Sequence, residues 1–228
     1  MKIKNLLILL KEILSPFTEK DWKFPEFFEN YDQYHHNVST GNMIRARLIE
    51  NWFEPNSTVL DVGIGDGTVA NYLKKKKNVK ISGIDVSSVS CEKAKKIGIN
   101  AEVRDINHGL GLEENEFFDY ILMSEVIEHT MYPQRLLLEA IHHAKKGVVV
   151  TIPNSGYIQW RIHLLRGYFP RQSFTHLHFW SINDFKIFCN VLNIKTLKLK
   201  TSAKSTFSIW KNLFSWQQCW LLEPKLEE

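Results

Sequence analysis

The sequence lacks the features that mark several classes of protein. Its 228 residues include three cysteines, widely spaced and without a Cys-x-x-Cys pair, which argues against a disulfide framework. The formal net charge is only +4, and the basic run at residues 74–77 suits a solvated helix end better than a nucleic-acid patch. We therefore expect a reduced, cytoplasmic protein.

The chain also lacks an apolar run long enough to span a bilayer. The apolar run at residues 6–10 is followed by Lys11 and Glu12, and no small-residue cleavage site of a secretory signal comes after it. Apolar residues recur at helical spacing over residues 3–14. They predict an amphipathic helix that packs on the domain, on a protein partner or on a second copy of the chain. Attachment to a membrane surface is the less favoured alternative.

From residue 57 onward, short apolar runs alternate with helical segments, a pattern typical of a parallel sheet built from β-α units. Two later apolar runs are joined by a connection too short for a parallel crossover, which predicts an antiparallel pair at the sheet edge. The predicted fold is therefore α/β, doubly wound, with a mostly parallel seven-stranded sheet and an antiparallel edge strand. The predicted strands are 58–62, 79–84, 101–104, 118–123, 147–152, 195–200 and 216–222, with helices at 69–77, 90–97 and 133–145.

The pattern predicts a helical lead-in at residues 1–55 and one domain at residues 56–228. Between residues 154 and 180 the β-α alternation gives way to a long stretch rich in aromatic residues, arginine and histidine. Because long irregular stretches are usually functional or disordered, and this one is too aromatic for disorder, we predict an insertion that covers the substrate. A structural flap is the alternative. Residues suited to bury an apolar acceptor or to pair with an anionic group on it are Tyr157, Trp160, Tyr168, Phe169, Phe174, Arg161, Arg166 and Arg171.

A glycine-rich loop carries the strongest local signal. The first predicted strand ends at Asp61 and passes through Gly63, Gly65 and Gly67 into a helix. Glycine lets the backbone pass close to a ligand because it has no Cβ. A nicotinamide dinucleotide site needs Gly-x-Gly-x-x-Gly, but Thr68 stands at the last position, and the Gly-Lys-Ser/Thr of a phosphate loop is missing.

Two further acids occupy corresponding positions at the ends of the next two predicted strands. Asp85 ends the second predicted strand and Asp105 follows the third. Ligands of open α/β sheets bind at the carboxyl ends of the strands. A carboxylate there can accept hydrogen bonds from both hydroxyls of a ribose. Either acid alone would suit a turn or a helix cap. Because both acids follow successive strands beside the glycine loop, together they indicate a nucleoside-containing cofactor.

The loop resembles the Asp-x-Gly-x-Gly-x-Gly loop of class I S-adenosylmethionine-dependent methyltransferases, and the resemblance extends over about residues 57–200. It implies S-adenosylmethionine as cofactor, with Asp61 near its cationic amino-acid end, Asp85 on the ribose, and Asp105 with Ile106 against the adenine. The cofactor-binding residues that it implies are Asp61, Gly63, Gly65, Gly67, Asp85, Val86, Asp105, Ile106 and Ser124.

Three segments resemble, more narrowly, the MetW family of methionine-biosynthesis proteins. They are RDINHGLGLEENEFFDYIL, TIPNSGY and RIHLLRGYFPRQSFTHLHFWSINDF. This resemblance implies a cofactor-binding partner of an acyltransferase as one function. MetW does not keep the Glu-x-x-Glu-His pattern that this chain has at Glu125, Glu128 and His129, so the role in methionine synthesis stays open.

Glu-x-x-Glu-His is similar to an element of ubiquinone-type O-methyltransferases and small-RNA 2′-O-methyltransferases, in which these side chains hold a divalent metal. If the segment is helical, Glu125, Glu128 and His129 share one face. With His176, or alternatively His178, they form the implied site for Mg, Mn or Zn. The alternative is a helix start whose acids suit the dipole and whose histidine lines the substrate mouth.

Methyl transfer from a sulfonium needs mainly the alignment of nucleophile and methyl group. A hydroxyl nucleophile must also lose its proton to a general base or to a metal. His129 is the first candidate base, with His176 and His178 behind it. We expect transfer to an oxygen, or less favourably a nitrogen, of a small-molecule acceptor. The MetW-like partner and an RNA 2′-O-methyltransferase are the alternatives, and the modest charge disfavours RNA.

Overall fold

The computed structural model describes residues 40–169, 173, 175–203 and 210–224. The amphipathic helix predicted over residues 3–14 lies outside the described residues, as does most of the predicted helical lead-in. The described chain begins with helix α1 (Thr40–Ile49) and a 3₁₀ turn (Glu50–Trp52). That stretch leads directly into the sheet.

Strands and helices then alternate as the sequence predicts. The strands of the described chain are β1 (Thr58–Val62), β2 (Lys80–Asp85), β3 (Asn100–Val103), β4 (Phe118–Ser124), β5 (Ala144–Pro153), β6 (Thr196–Thr201) and β7 (Gln217–Leu222). The further helices are α2 (Thr68–Lys77), α3 (Ser88–Lys96), α4 (Pro133–His143), α5 (Ile158–Leu165), α6 (Ile182–Val191) and α7 (Lys211–Phe214). Two further 3₁₀ turns, Ile106–His108 and Ile127–His129, follow β3 and β4.

The seven strands of the described chain form one sheet in the order β3-β2-β1-β4-β5-β7-β6. Strands β1 to β5 pair in parallel, whereas β7 is antiparallel to both β5 and β6. The predicted doubly wound, mostly parallel sheet with an antiparallel edge is confirmed. The strand order reverses between β1 and β4, and such a switch point is where open α/β sheets bind ligands.

Helices cover both faces of the sheet. Successive residues of β5 point to opposite faces, so Val148 and Val150 join the cluster packed by α4 and α6, whereas Val149 joins the cluster packed by α1 and α2. All three valines are fully buried. The carboxyl ends of the central strands are therefore held on a close-packed support.

Three details differ from the sequence-based expectation. Strand β3 spans residues 100–103 instead of the predicted 101–104, and because it is the edge strand only Ala101 of its four residues is buried. Strand β5 begins at Ala144, where α4 was predicted to continue. The stretch after β5 is not irregular throughout, since it contains α5.

Candidate active site

The loop after β1 holds its three glycines in the left-handed region, with φ of 68° at Gly63, 56° at Gly65 and 75° at Gly67. A Cβ on Gly63 would lie 2.6 Å from Val126 Cγ2, and one on Gly67 would lie 2.9 Å from Ile97 Cδ1. A Cβ on Gly65 would meet no atom within 4 Å. Gly63 and Gly67 are therefore required by packing as well as by φ, whereas Gly65 faces open space in which a ligand has room.

Asp85, at the end of β2, is buried and anchored to the backbone on both oxygens. Its Oδ2 accepts a hydrogen bond from the Gly65 amide at 2.8 Å, and its Oδ1 accepts one from the Ser87 amide at 2.9 Å. Each carboxylate oxygen has a second lone pair that can accept a hydroxyl. The neighbouring Val86 is exposed. This arrangement holds a carboxylate beside the open position at Gly65.

Asp61, in β1, is a buried acid whose Oδ1 has no hydrogen-bond partner among the described residues. Burial raises the pKa of Asp61 well above its usual range, and the nearby charge of Asp85 raises it further. A buried carboxylate without a partner is costly to keep ionised. A cationic group bound beside Asp61 would offset that cost.

Asp105 is exposed and precedes the 3₁₀ turn after β3. Its Oδ1 accepts a hydrogen bond from the Asn107 amide at 2.9 Å, so it acts as the cap of that turn. Ile106 packs against the main core cluster. The Arg104 amide bonds the Asp85 carbonyl at 2.8 Å, which places this turn next to the end of β2.

Strand β4 ends at Ser124, whose hydroxyl lies 3.0 Å from that of Thr151. The next residue, Glu125, has a φ of 59°, in the left-handed region. The chain then forms only the 3₁₀ turn Ile127–His129. The expectation that Glu125, Glu128 and His129 share one face of a helix is therefore wrong, because a left-handed residue precedes a turn of three residues.

The Glu125 carboxylate is held by two side chains distant in sequence. Gln217 Nε2 donates a hydrogen bond to Glu125 Oε1 at 2.6 Å, and Arg45 Nη1 lies 3.8 Å from Oε2. Burial raises the pKa of Glu125, while the Arg45 charge and the Gln217 hydrogen bond oppose that rise. Sequence reasoning identified neither Arg45 nor Gln217. The only local signal was a pair of glutamines opening an otherwise apolar strand.

Glu128 is the most deeply buried acid of the site, at 1% exposure. Neither of its carboxylate oxygens has a hydrogen-bond partner among the described residues. Burial raises the pKa of Glu128 well above its usual range, and the charge of Glu125 adds to the rise. Among the described residues, ligand atoms of Glu128, His129 and His176 lie within 4.8 Å of one another. We call these three residues the Glu-His cluster; neither Glu125 nor His178 belongs to it.

The two histidines of the cluster differ in their surroundings. His129 Nδ1 lies 3.1 Å from the Thr175 carbonyl oxygen. A carbonyl can only accept, so Nδ1 carries the proton and the neutral ring has its lone pair on Nε2. Burial, together with the neighbouring His129, lowers the pKa of His176 to about 3. His176 is therefore neutral at neutral pH.

His178 lies beside the cluster with its ring fixed by other groups. Its Nε2 lies 2.9 Å from the Thr130 carbonyl oxygen, so that nitrogen carries the proton. The ring stacks on Trp180, with centroids 5.3 Å apart. The backbone amides of Leu177 and His178 both donate to the Glu128 carbonyl, at 2.8 and 3.2 Å. These bonds tie the stretch after α5 to the turn after β4.

One curated relative matches part of the chain. The Candida albicans mitochondrial ubiquinone biosynthesis O-methyltransferase is 31% identical over 115 residues, which are 45% of this chain and 34% of that protein. The match thus spans about a third of the relative's length.

Two solved structures share the fold. One is a candidate methyltransferase of Haloferax volcanii, solved with the Trm112 methyltransferase activator, at TM-score 0.65, 14% identity, and coverage of 90% of this chain and 100% of that one. The other is a Thermotoga maritima S-adenosylmethionine-dependent methyltransferase, at TM-score 0.61, 19% identity, and coverage of 89% and 98%.

The likeness to these two structures shows that the chain has the Rossmann-like fold of class I methyltransferases, as the sequence predicted. Among the described residues, no helix combines the length and apolar character needed to cross a membrane. The model of one family, described as methionine biosynthesis protein MetW, matches residues 45–222. Because that match covers most of the chain, the protein belongs to the MetW family.

Proposed function

We propose that the chain transfers a methyl group from S-adenosylmethionine to an oxygen of a small-molecule acceptor, with His129 as general base. The observation that carries this proposal is the orientation of His129. Its Nδ1 donates to the Thr175 carbonyl, and in that tautomer the lone pair that can accept a proton is on Nε2. The ring follows β4, at the carboxyl ends of the parallel strands, and the glycine loop follows β1 at the same end of the sheet.

The residues present fit S-adenosylmethionine. Asp61 is a buried acid that needs a cationic partner, which the ammonium group supplies. Asp85 is positioned to accept the ribose hydroxyls, and Gly65 leaves open space beside it. The remaining proposed contacts are Gly63, Gly67, Val86, Asp105, Ile106 and Ser124. When bound, the cofactor supplies a methyl group on an activated leaving group.

The chemistry left to the protein is to align the acceptor and remove its proton. His129 Nε2 accepts the hydroxyl proton. The resulting positive ring lies within the Glu-His cluster, so it favours ionisation of Glu128, which burial otherwise opposes. His176 stays neutral and does not compete for the proton.

A divalent cation is the second candidate for activating the hydroxyl. The Glu-His cluster fits one, because its three ligand atoms converge and the Glu128 carboxylate has no other partner among the described residues. Such an ion would lower the pKa of a hydroxyl bound to it. The predicted fourth ligand, Glu125, is engaged by Gln217. Oxygen and imidazole ligands suit Mg, Mn or Zn.

Membership of the MetW family favours one competing function, a cofactor-binding partner of an acyltransferase in methionine biosynthesis. Labelled S-adenosylmethionine, incubated with the protein and a cell extract, separates the candidates. Label in the small-molecule fraction supports the proposal, and label in RNA supports a 2′-O-methyltransferase. Absence of label together with co-purification of an acyltransferase supports the partner function.

A further inference from the structure

A patch of apolar side chains is exposed at the end of α5. Within α5, which the structure describes completely, His163 alone is buried. The six residues 164–169 that end the helix and follow it are all exposed. Leu165 is 86% exposed, Leu164 and Phe169 are each 57% exposed, and Tyr168 is 42% exposed. We call these four residues the α5 patch. Contiguous apolar surface of this kind marks interaction sites on soluble domains.

Along the sequence, the charge around the α5 patch has a single sign. The sequence contains no aspartate or glutamate between Glu139 and Asp184. Arg161 and Arg166 are exposed among the apolar residues of α5 and its end. Exposed leucine and aromatic side chains interleaved with arginine, with no carboxylate nearby in sequence, suit the interface of an anionic lipid layer.

Aromatic rings connect the patch with the Glu-His cluster. The ring centroids of Phe169 and Phe179 lie 5.2 Å apart, and those of Phe179 and His176 lie 6.3 Å apart. The His176 ring in turn lies 4.6 Å from that of His129. These rings therefore form a line of contacts from the α5 patch to the candidate base.

We propose that the α5 patch docks on an anionic lipid surface, and that the acceptor is an apolar molecule taken up from that surface. The second part rests on the proposed methyl transfer, whereas the first does not. A symmetric contact with a second copy fits less well, since it would bring Arg161 and Arg166 close to the same residues of the partner.

Vesicle co-sedimentation of the full chain tests the docking. We expect binding to phosphatidylcholine vesicles that contain phosphatidylglycerol, weakening as salt rises. Arg166→Gln should weaken binding about fivefold, and Leu165→Ser with Phe169→Ser should weaken it at least about tenfold. The matched control replaces Ile187 and Val191 of α6, 60% and 74% exposed, with serine; it should bind like the wild type.

Binding that survives the patch substitutions, or that the α6 control loses equally, would overturn the docking. So would equal binding to vesicles of phosphatidylcholine alone. A dimer in sedimentation velocity that the patch substitutions abolish would assign the surface to a second copy and also overturn it. Thermal melting confirms that each variant folds. Vesicle binding without methyl transfer would contradict the proposed function and leave the docking intact; methyl transfer without vesicle binding would contradict the docking alone.

Discussion

The imidazole rings of His129 and His176 meet edge to face, with their centroids 4.6 Å apart. One ring belongs to the turn after β4 and the other to the stretch that follows α5. Main-chain hydrogen bonds from Leu177 and His178 to the Glu128 carbonyl fix the two segments together. The turn after β4 and the stretch after α5 are therefore one structural unit at the candidate site.

Gly65→Leu should abolish measurable cofactor binding, because its side chain would occupy the open space beside Asp85. Gly167 provides a matched control, since its φ is +85° and a Cβ there would also meet no atom within 4 Å. Both substitutions should lower the melting temperature through strain in the left-handed region. Calorimetry with S-adenosylmethionine should show lost affinity only for Gly65→Leu, and NAD should bind neither variant nor the wild type. Equal affinity in both variants would place the ligand elsewhere.

Asp61→Asn should have opposite effects on the stability of the unliganded protein, which it should raise, and on stabilisation by the cofactor, which it should lower. The raised pKa of Asp61 means that the folded state binds more protons than the unfolded state between about pH 3.9 and the raised value, so wild-type stability falls as pH rises through that window. The variant lacks this fall. Without cofactor, its melting temperature relative to the wild type should increase with pH, whereas S-adenosylmethionine should stabilise the wild type far more.

Asp119→Asn is the control of opposite sign for that experiment. Burial raises the pKa of Asp119, but the Thr58 amide and Lys146 outweigh it and hold the pKa below its usual value. The stability that this acid contributes is present above about pH 3.9 and is lost as pH falls. Asp119→Asn should therefore destabilise at neutral pH and less at low pH. Parallel pH profiles for the two variants would contradict the assignment of Asp61.

Chelation separates the two ways of activating the acceptor. If His129 acts as the base without a metal, EDTA should leave the transfer rate unchanged. If a cation binds the Glu-His cluster, EDTA should abolish transfer and Mg or Mn should restore it. Glu128→Gln keeps the shape of the side chain but removes the charge that would hold the ion. Full activity in this variant, with no metal found by elemental analysis, would exclude the cation.

The sheet and the glycine loop were predictable because short-range patterns encode them. Apolar runs of strand length, the glycines around Gly65 and the acid at the end of β2 are all visible in the sequence. The turn after β4 was not predictable, since Glu125 takes a left-handed φ beside partners as distant as Arg45 and Gln217. Helix α5 was missed because its N-cap, Tyr157, has no side-chain cap hydrogen bond that a capping motif would signal.

In the stretch after β5, composition alone did not predict which side chains are buried. Tyr168 and Phe169 were predicted to line an acceptor pocket, yet they are 42% and 57% exposed. Aromatic content indicates that a segment makes apolar contacts but does not say with what. That this stretch covers the substrate remains a prediction, as do the boundaries of the lead-in and the insertion.

The most direct test of the account compares wild type and His129→Asn for transfer of labelled methyl from S-adenosylmethionine to the lipid-extractable small-molecule fraction. The wild type should label a product in that fraction. His129→Asn should transfer about 100- to 10,000-fold more slowly, with unchanged cofactor affinity by calorimetry. His142→Asn, on α4, controls for loss of a histidine outside the Glu-His cluster and should transfer normally. Equal labelling by wild type and His129→Asn, or no labelled small molecule with a wild type that binds the cofactor, would contradict the account.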